Sequence, residues 1–324
     1  MFTRLRRVLR VALVVVVPSI ASAQNGAYPD KPITLVVGYQ PGGSVDLVAR
    51  TIAPALSRRL GQTIVIENAA GAGGTIGAGK VVAAPADGYT LLLGSTSEIG
   101  INHLTNKKLR YNPTRDLLPI GLVGSQPMVL VTRSANPVSN SGEFIAYLSQ
   151  NPGKAMYASA GVGTPLHLAG EMVKKKANVF MVHIPYRGAA SMTTDLLGGQ
   201  VEFGVFMLSS ALPYIKDGRM KALGVTSGER SATAPNIPAL GELPKLKGLD
   251  ISVLFGVLAP AGTPAAIVGR LRTELKAVVK DPELRRKLQE AGLVLNEDAD
   301  FAKLLNSEIE KFKPIVAFAK ITDD

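Results

Sequence analysis

The chain is expected to take an α/β fold, with sheets flanked by helices, and three observations carry that expectation. Short apolar runs alternate with stretches of helical periodicity, beginning with Ile33–Tyr39 and the amphipathic stretch that ends at Leu60. The joints between them are rich in glycine and hydroxyl residues, as doubly wound sheets require at the carboxyl ends of their strands. The length, 324 residues, fits two domains at about 100–200 residues each.

The stretch ITLVVGYQPGGSVDLVARTIAPALSRRL, Ile33 to Leu60, organises the rest. A buried strand runs to Tyr39, the turn Pro41-Gly42-Gly43-Ser44 follows, and a helix places Leu47, Val48, Ile52, Ala55, Leu56 and Leu60 on an apolar face. Ser44 is expected as the N-cap, and Asp46 falls in the first turn, where a carboxylate suits the helix dipole. A strand that ends in glycines and feeds a helix leaves backbone N–H groups unpaired, which suits a small anion.

Before this unit, residues 1–23 read as a secretory signal. Arg4, Arg6, Arg7 and Arg10 precede an apolar run too short to span a bilayer, and Ala21-Ser22-Ala23 places cleavage before Gln24. The expected compartment is the periplasm. Without those four arginines, 32 basic residues stand against 25 acidic ones, a balance of +7 rather than +11. With aromatics at 5% and no tryptophan, the chain lacks the stacking platform that nucleic-acid binding wants. It has no cysteine, which excludes disulfides, thiol catalysis and thiolate metal sites. His103, His167 and His183 have no metal-ligand spacing, so neither metal nor cofactor is expected.

Further units follow in order. Thr63–Glu67 is a strand, followed by Asn68 and a glycine loop over residues 69–79. Gly74 to Lys80 spells G-x-x-x-x-G-K, but Val81 stands where a phosphate-binding loop needs a hydroxyl, so a nucleotide site is set aside. Tyr89–Gly94 opens onto Ser95, Thr96 and Ser97. Asp116–Leu122 and Met128–Val131 read as two strands leading into the second domain, and Ser141 as a helix cap. Met156–Ser159 leads through Ala160-Gly161-Val162-Gly163 to Thr164, expected as an N-cap, with Pro165 at the first helical position and His167 in the first turn. Val179–Ile184 precedes Pro185-Tyr186-Arg187-Gly188, and Val201–Met207 leads to Ser209 and Ser210. Ile251–Leu258 is the return crossing, and three amphipathic helices complete the chain.

These blocks resemble, in family order, the periplasmic solute-binding proteins of tripartite tricarboxylate transporters, the Bug (TctC) family. The likeness is carried by Tyr28-Pro29-Asp30-Lys31-Pro32, the Pro41–Asp46 turn, Gly71-Ala72-Gly73-Gly74, Asp87-Gly88-Tyr89, Ser159–Thr164 with His167, Pro185–Gly188, Asp195–Val201 and Ala259–Pro264. The resemblance implies a two-lobed flytrap. Residues 24–128, completed by 259–324, form lobe 1, and residues 129–258 form lobe 2. It also implies a ligand carboxylate held by backbone N–H groups, hydroxyls and waters from both lobes. The residues expected to bind are Tyr39, Pro41, Gly42, Gly43, Ser44 and Asp46 from the first loop, with Ser95, Thr96 and Ser97 from the third strand. Ser159, Gly161, Gly163, Thr164, His167, Arg187 and Met207 complete the set from the second lobe.

Departures from the family pattern sharpen the ligand. Arg187 stands where lysine is frequent, Phe206-Met207-Leu208 lacks the acidic residue common there, and Leu254 replaces a usual tryptophan. The wall becomes more apolar, which favours an organic acid without an amine, although Asp46 keeps an amino acid open. The expected ligand is a di- or tricarboxylate, an aromatic carboxylate or an amino acid, and the expected partners are membrane permease subunits, with the chain a monomer. A receptor that signals to a membrane sensor kinase is the alternative. Catalysis is not expected: there is no G-x-S-x-G elbow, and Ser159 with His167 lacks an acid partner.

Overall fold

A computed structural model describes residues 28–296 and 298–321; the expected secretory segment lies outside them. The first half runs β1 (Ile33–Val37), α1 (Ser44–Leu60), β2 (Ile64–Asn68), α2 (Thr75–Val82) and β3 (Thr90–Ser95). A π-helical turn, Ser97–Ile101, then leads to α3 (Asn102–Thr105), α4 (Pro113–Asp116) and β4 (Leu117–Arg133). Next come α5 (Ser141–Gln150), β5 (Met156–Ser159), α6 (Pro165–Ala177), β6 (Val182–Pro185), α7 (Ala189–Gly198) and β7 (Phe203–Met207). The remainder is α8 (Leu208–Lys216), β8 (Met220–Val225), β9 (Ser252–Pro260), α9 (Ala265–Lys280), α10 (Pro282–Glu290) and α11 (Phe301–Ala319).

The strands form one mixed sheet in the order β2-β1-β3-β9-β4-β7-β5-β6, with β8 paired to β4. β1 lies parallel between β2 and β3, and β5 parallel between β6 and β7. These two parallel groups are joined through antiparallel β9 and β4. Helices cover both parallel groups, and the carboxyl ends of β1, β3, β5, β6 and β7 deliver their loops to one cleft, described below.

β4 is the main departure from the sequence-based expectation. Pro119, Gly121, Gly124 and Pro127 argue for two strands with a gap, yet the structure has one strand of 17 residues. Two register shifts against β9, at Pro119/Gly121 and Leu122/Gly124, absorb the breakers. Up to Pro127 the strand pairs with β9; from Met128 it pairs with β7. At about 3.3 Å per residue such a strand is long enough to serve both groups.

The other expectations differ in detail. α1 buries Val45, Val48, Ala49, Ile52, Ala53, Leu56 and Leu60 against the sheet, while Leu47 is 48% exposed. Its N-cap is Gly43, not Ser44, and no side chain caps it; it stops at Gly61, which takes φ 73°. Asn140, rather than Ser141, caps α5 through a bond to the Glu143 N–H (2.9 Å). Ser209 and Ser210, after β7, lie in the first turn of α8. α6 starts as expected, with Thr164 as cap and Pro165 first.

Candidate ligand-binding site

A cavity of about 320 Å³ lies between the two parallel groups. After β1 it is lined by Tyr39, Gly43, Ser44 and Val45, and after β3 by Ser95 and Ser97, with Gly73 alongside. The opposite side brings Ala160, Thr164, Pro165 and Leu166 after β5, Arg187 and Gly188 after β6, and Met207 at the end of β7. Val253 and Phe255 of the crossing strand β9 form the floor. Tyr39, Gly43, Ser44, Ser95, Ser97, Thr164, Arg187 and Met207 are thus brought together as the sequence predicts.

Four helices begin at this cavity. Gly43 is the N-cap of α1, Thr164 of α6, Gly188 of α7 and Met207 of α8, and all four residues line it. Only α6 has a side-chain cap among them, the Thr164 Oγ1 accepting from the His167 N–H (3.3 Å). Each helix start carries roughly half a positive charge, so the four together favour an anion. Arg187 adds a full charge; it is exposed and has no acidic partner among the described residues. No Asp or Glu lines the cavity.

Eight expected residues do not line the cavity, each for a physical reason. Asp46 is buried: its Oδ2 accepts from the Gly42 N–H (2.9 Å) and Arg50 Nε (2.8 Å), and its Oδ1 accepts from Asn68 Nδ2 (2.9 Å). Burial pushes its carboxyl up, but these bonds outweigh burial and hold it at about 2. Its oxygens are committed to folding the turn, not to receiving an amine. Pro41 and Gly42 form the outer side of that turn, where Gly42 takes φ 87°. Thr96 is fully buried and its Oγ1 accepts from the Leu254 N–H (2.7 Å), fixing β9.

Ser159 and His167 belong to a buried cluster under the second loop. Ser159 Oγ lies 2.6 Å from His183 Nε2, and the His183 ring stacks on His167 at 3.7 Å. His167 Nδ1 accepts from the Gly163 N–H (3.1 Å). Glu171 completes the cluster by accepting from Tyr157 (2.8 Å) and Lys174 (2.8 Å). Burial, aided by Lys174, lowers His167 to about 4. Burial, followed by the neighbouring His167, lowers His183 to about 3. Gly161 accepts from the Thr164 hydroxyl through its carbonyl (2.8 Å), which shapes the loop. Gly163 lines a smaller adjoining hollow of about 160 Å³.

Sequence reasoning missed Val253 and Phe255. It took Leu254 as the wall residue, but strand alternation turns Leu254 into the core and its two neighbours toward the cavity. It also missed Glu98, a buried acid directly behind Tyr39 and Ser95. An acidic residue set between Ser95-Thr96-Ser97 and the apolar run Ile99-Gly100-Ile101 was the available signal. Lys80, the last residue of the G-x-x-x-x-G-K stretch, pairs with Glu67 and is not at the cavity. Larger hollows occur elsewhere, but charges that line them pair with one another, as in Lys276–Asp298 (3.0 Å) and Lys287–Glu283 (2.7 Å). Among the described residues no three His, Asp or Glu side chains converge to hold a metal ion.

A sequence profile described as the tripartite tricarboxylate transporter family receptor, TctC, matches residues 48–320. The chain belongs to this family. A protein of the tcbD-tcbE intergenic region of Pseudomonas sp. (strain P51) is 35% identical over 314 residues, which cover 96% of this chain and 93% of that one. The solved structure of R. palustris Rpa4515 with adipate is 31% identical, covers 91% of this chain and 99% of its own, and superposes with a TM-score of 0.81. MatC from Rhodopseudomonas palustris with bound malate is 30% identical, covers 89% and 100%, and gives 0.78. The TctC-family chain described here is therefore a solute-binding receptor and not an enzyme. Its solved relatives include a periplasmic transporter and the periplasmic binding protein BugD, and among its described residues no helix is long and apolar enough to cross a membrane.

Proposed function

We propose that this receptor captures a small organic acid without an amine in the cavity beneath Arg187 and delivers it to a membrane permease. The convergence of four helix starts and an unpaired arginine on a cavity without a carboxylate carries the reading. A buried carboxylate needs several charge-assisted bonds to offset its desolvation, and this arrangement offers them from both parallel groups. The amine is argued against by Asp46, whose oxygens are bonded inside the first turn. Val253, Phe255, Met207 and Leu166 suit an apolar body between polar ends. The relatives solved with adipate and malate support the same class.

The two lobes meet, in this reading, where β4 exchanges β9 for β7, between Pro127 and Met128. Closure is then stabilised only by contacts that the ligand gains from the second lobe. The test is native mass spectrometry of the freshly purified protein, then thermal shifts with a panel of di- and tricarboxylates, aromatic acids and amino acids. A retained acid, or a stabilisation that grows with its concentration, supports capture. A protein indifferent to every acid refutes it, and a preference for amino acids refutes the exclusion of the amine.

A further inference from the structure

Behind the cavity wall sits a carboxyl group that capture alone does not use. Glu98 is fully buried in the π-helical turn after β3. Its Oε2 accepts from the Tyr39 hydroxyl (2.6 Å) and from Ser95 Oγ (2.8 Å), and its Oε1 accepts from the Ser95 N–H (2.6 Å). Tyr39 and Ser95 both line the cavity, so Glu98 is one hydroxyl away from whatever the cavity holds. Gly74 packs against the Tyr39–Glu98 bond: a Cβ there would stand 2.7 Å from Glu98 Oε2 and 2.9 Å from the Tyr39 hydroxyl oxygen. Burial pushes Glu98 up to about 7, against the hydrogen bonds from Tyr39, Ser95 and its own backbone that favour its charged form.

Proton counting gives the consequence for an anion. An ionised carboxylate has no donor of its own, so it draws the hydroxyl protons of Tyr39 and Ser95 toward itself. Both hydroxyls then present lone pairs to the cavity, with a like charge behind them. A neutral carboxyl group supplies a proton, donating it to one of the two hydroxyls, whose own proton is released to turn toward the ligand. We propose that the receptor takes up its anionic ligand together with one proton from solvent, which Glu98 holds, making Glu98 the positioning residue for the Tyr39 and Ser95 hydroxyls. This rests on the reading of the ligand as an acid.

The other groups around Glu98 are shifted away from neutral pH or are paired. The Tyr39 phenol is raised well above its ordinary range by burial and by Glu98 itself. Tyr111, whose hydroxyl donates to the Glu98 carbonyl (2.8 Å), is likewise raised by burial. On α3, His103 is lowered from its ordinary value by burial. The charges on the other packed elements have partners: Lys80 of α2 with Glu67, Arg115 with Asp116 on α4, and on α11 Lys311 with Glu308 and Lys313 with Glu310. His167 and His183, across the cleft, titrate far lower.

The experiment is isothermal titration calorimetry with a panel of dicarboxylates, adipate and malate among them, whose own groups are ionised throughout this range. Wild type and Glu98→Gln are compared at pH 6 and pH 8, each in two buffers of different ionisation heat. A group titrating near 7 that must be protonated in the complex makes binding about tenfold tighter at pH 6 than at pH 8. Wild type should take up nearly one proton per ligand at pH 8. That count needs only the wild-type protein and stands if the variant fails to fold; if it folds, E98Q should bind equally at both pH values with no proton uptake. Equal wild-type affinity at both pH values overturns the proton coupling and leaves capture standing. An unchanged pH slope in E98Q removes Glu98 as the proton holder. Absence of binding by every acid at both pH values overturns the coupling and the capture together.

Discussion

Arg187→Gln tests the anion reading most directly, because its cost can be worked from the structure. The side chain is exposed at the cavity, on the loop between β6 and α7, and no acid neutralises it among the described residues. A unit charge about 4 Å from a carboxylate gains about 1 kcal/mol in bulk water and about 4 kcal/mol at an effective dielectric of 20. An exposed guanidinium at a cavity mouth falls between these limits, at about 2 kcal/mol, or about thirtyfold in Kd. Lysine at the same place keeps the charge and loses the two-pronged fork, so R187K should cost only about three- to tenfold. Calorimetry with the tightest acid of the panel reads both, and the wild-type affinity should fall with salt while that of R187Q falls less. Thermal unfolding of the ligand-free variant should be unchanged, since the side chain is exposed and without an ion partner. Wild-type affinity in R187Q for every acid that binds would refute the reasoning, since the cavity would then hold its anion without the charge.

Other substitutions separate folding from binding. Thr96→Val keeps the shape but strips the Leu254 N–H of its acceptor, and should lower stability by about 1–3 kcal/mol in urea unfolding; an unchanged midpoint would show that β9 is held otherwise. Gly170→Ala sets a Cβ 2.2 Å from the Tyr157 ring and should cost about 1–3 kcal/mol by the same measurement, unless Tyr157 can move at no cost. The buried histidines give an acid limit. His167 and His183 titrate at about 4 and 3 when folded and near 6.5 when unfolded, so the unfolded state binds more protons and stability falls as pH drops from 6.5 toward 4. His183→Gln should flatten that acid limb of the melting-temperature profile, and an unaltered limb would assign it to other groups.

Local signals found most of the fold. The α6 start was legible because Thr164 and Pro165 act within one turn, and α9 because its apolar stripe and the preceding Gly262-Thr263-Pro264 agree. β4 was not legible as one strand, since what overrides its prolines and glycines is pairing with β9, more than 100 residues away in sequence. Leu47 illustrates the same limit on a helix: it stands on the periodic stripe, but the sheet receives the neighbouring face. The loops were found as loops, and the cavity formed from them. Which of their side chains look into it depends on partners that a sequence does not display.

That last point explains the site's chemistry. Four of the hydroxyls expected to donate to the ligand are bonded to acceptors or donors of the protein itself: Ser95 to Glu98, Thr96 to the Leu254 N–H, Ser159 to His183, and Thr164 to the Gly161 carbonyl. A hydroxyl has one proton, so each that donates inward has none for the cavity. The donors left for an anion are the Ser44 hydroxyl, the backbone N–H groups at the helix starts and the Arg187 fork, which impose charge complementarity without choosing among acids. Selection among acids then falls to length and to the apolar floor of Val253 and Phe255. Of the bonded hydroxyls that line the cavity, those of Tyr39 and Ser95 are tied to a group whose protonation changes near neutral pH, and a proton of this pair is therefore the one the protein can release on demand.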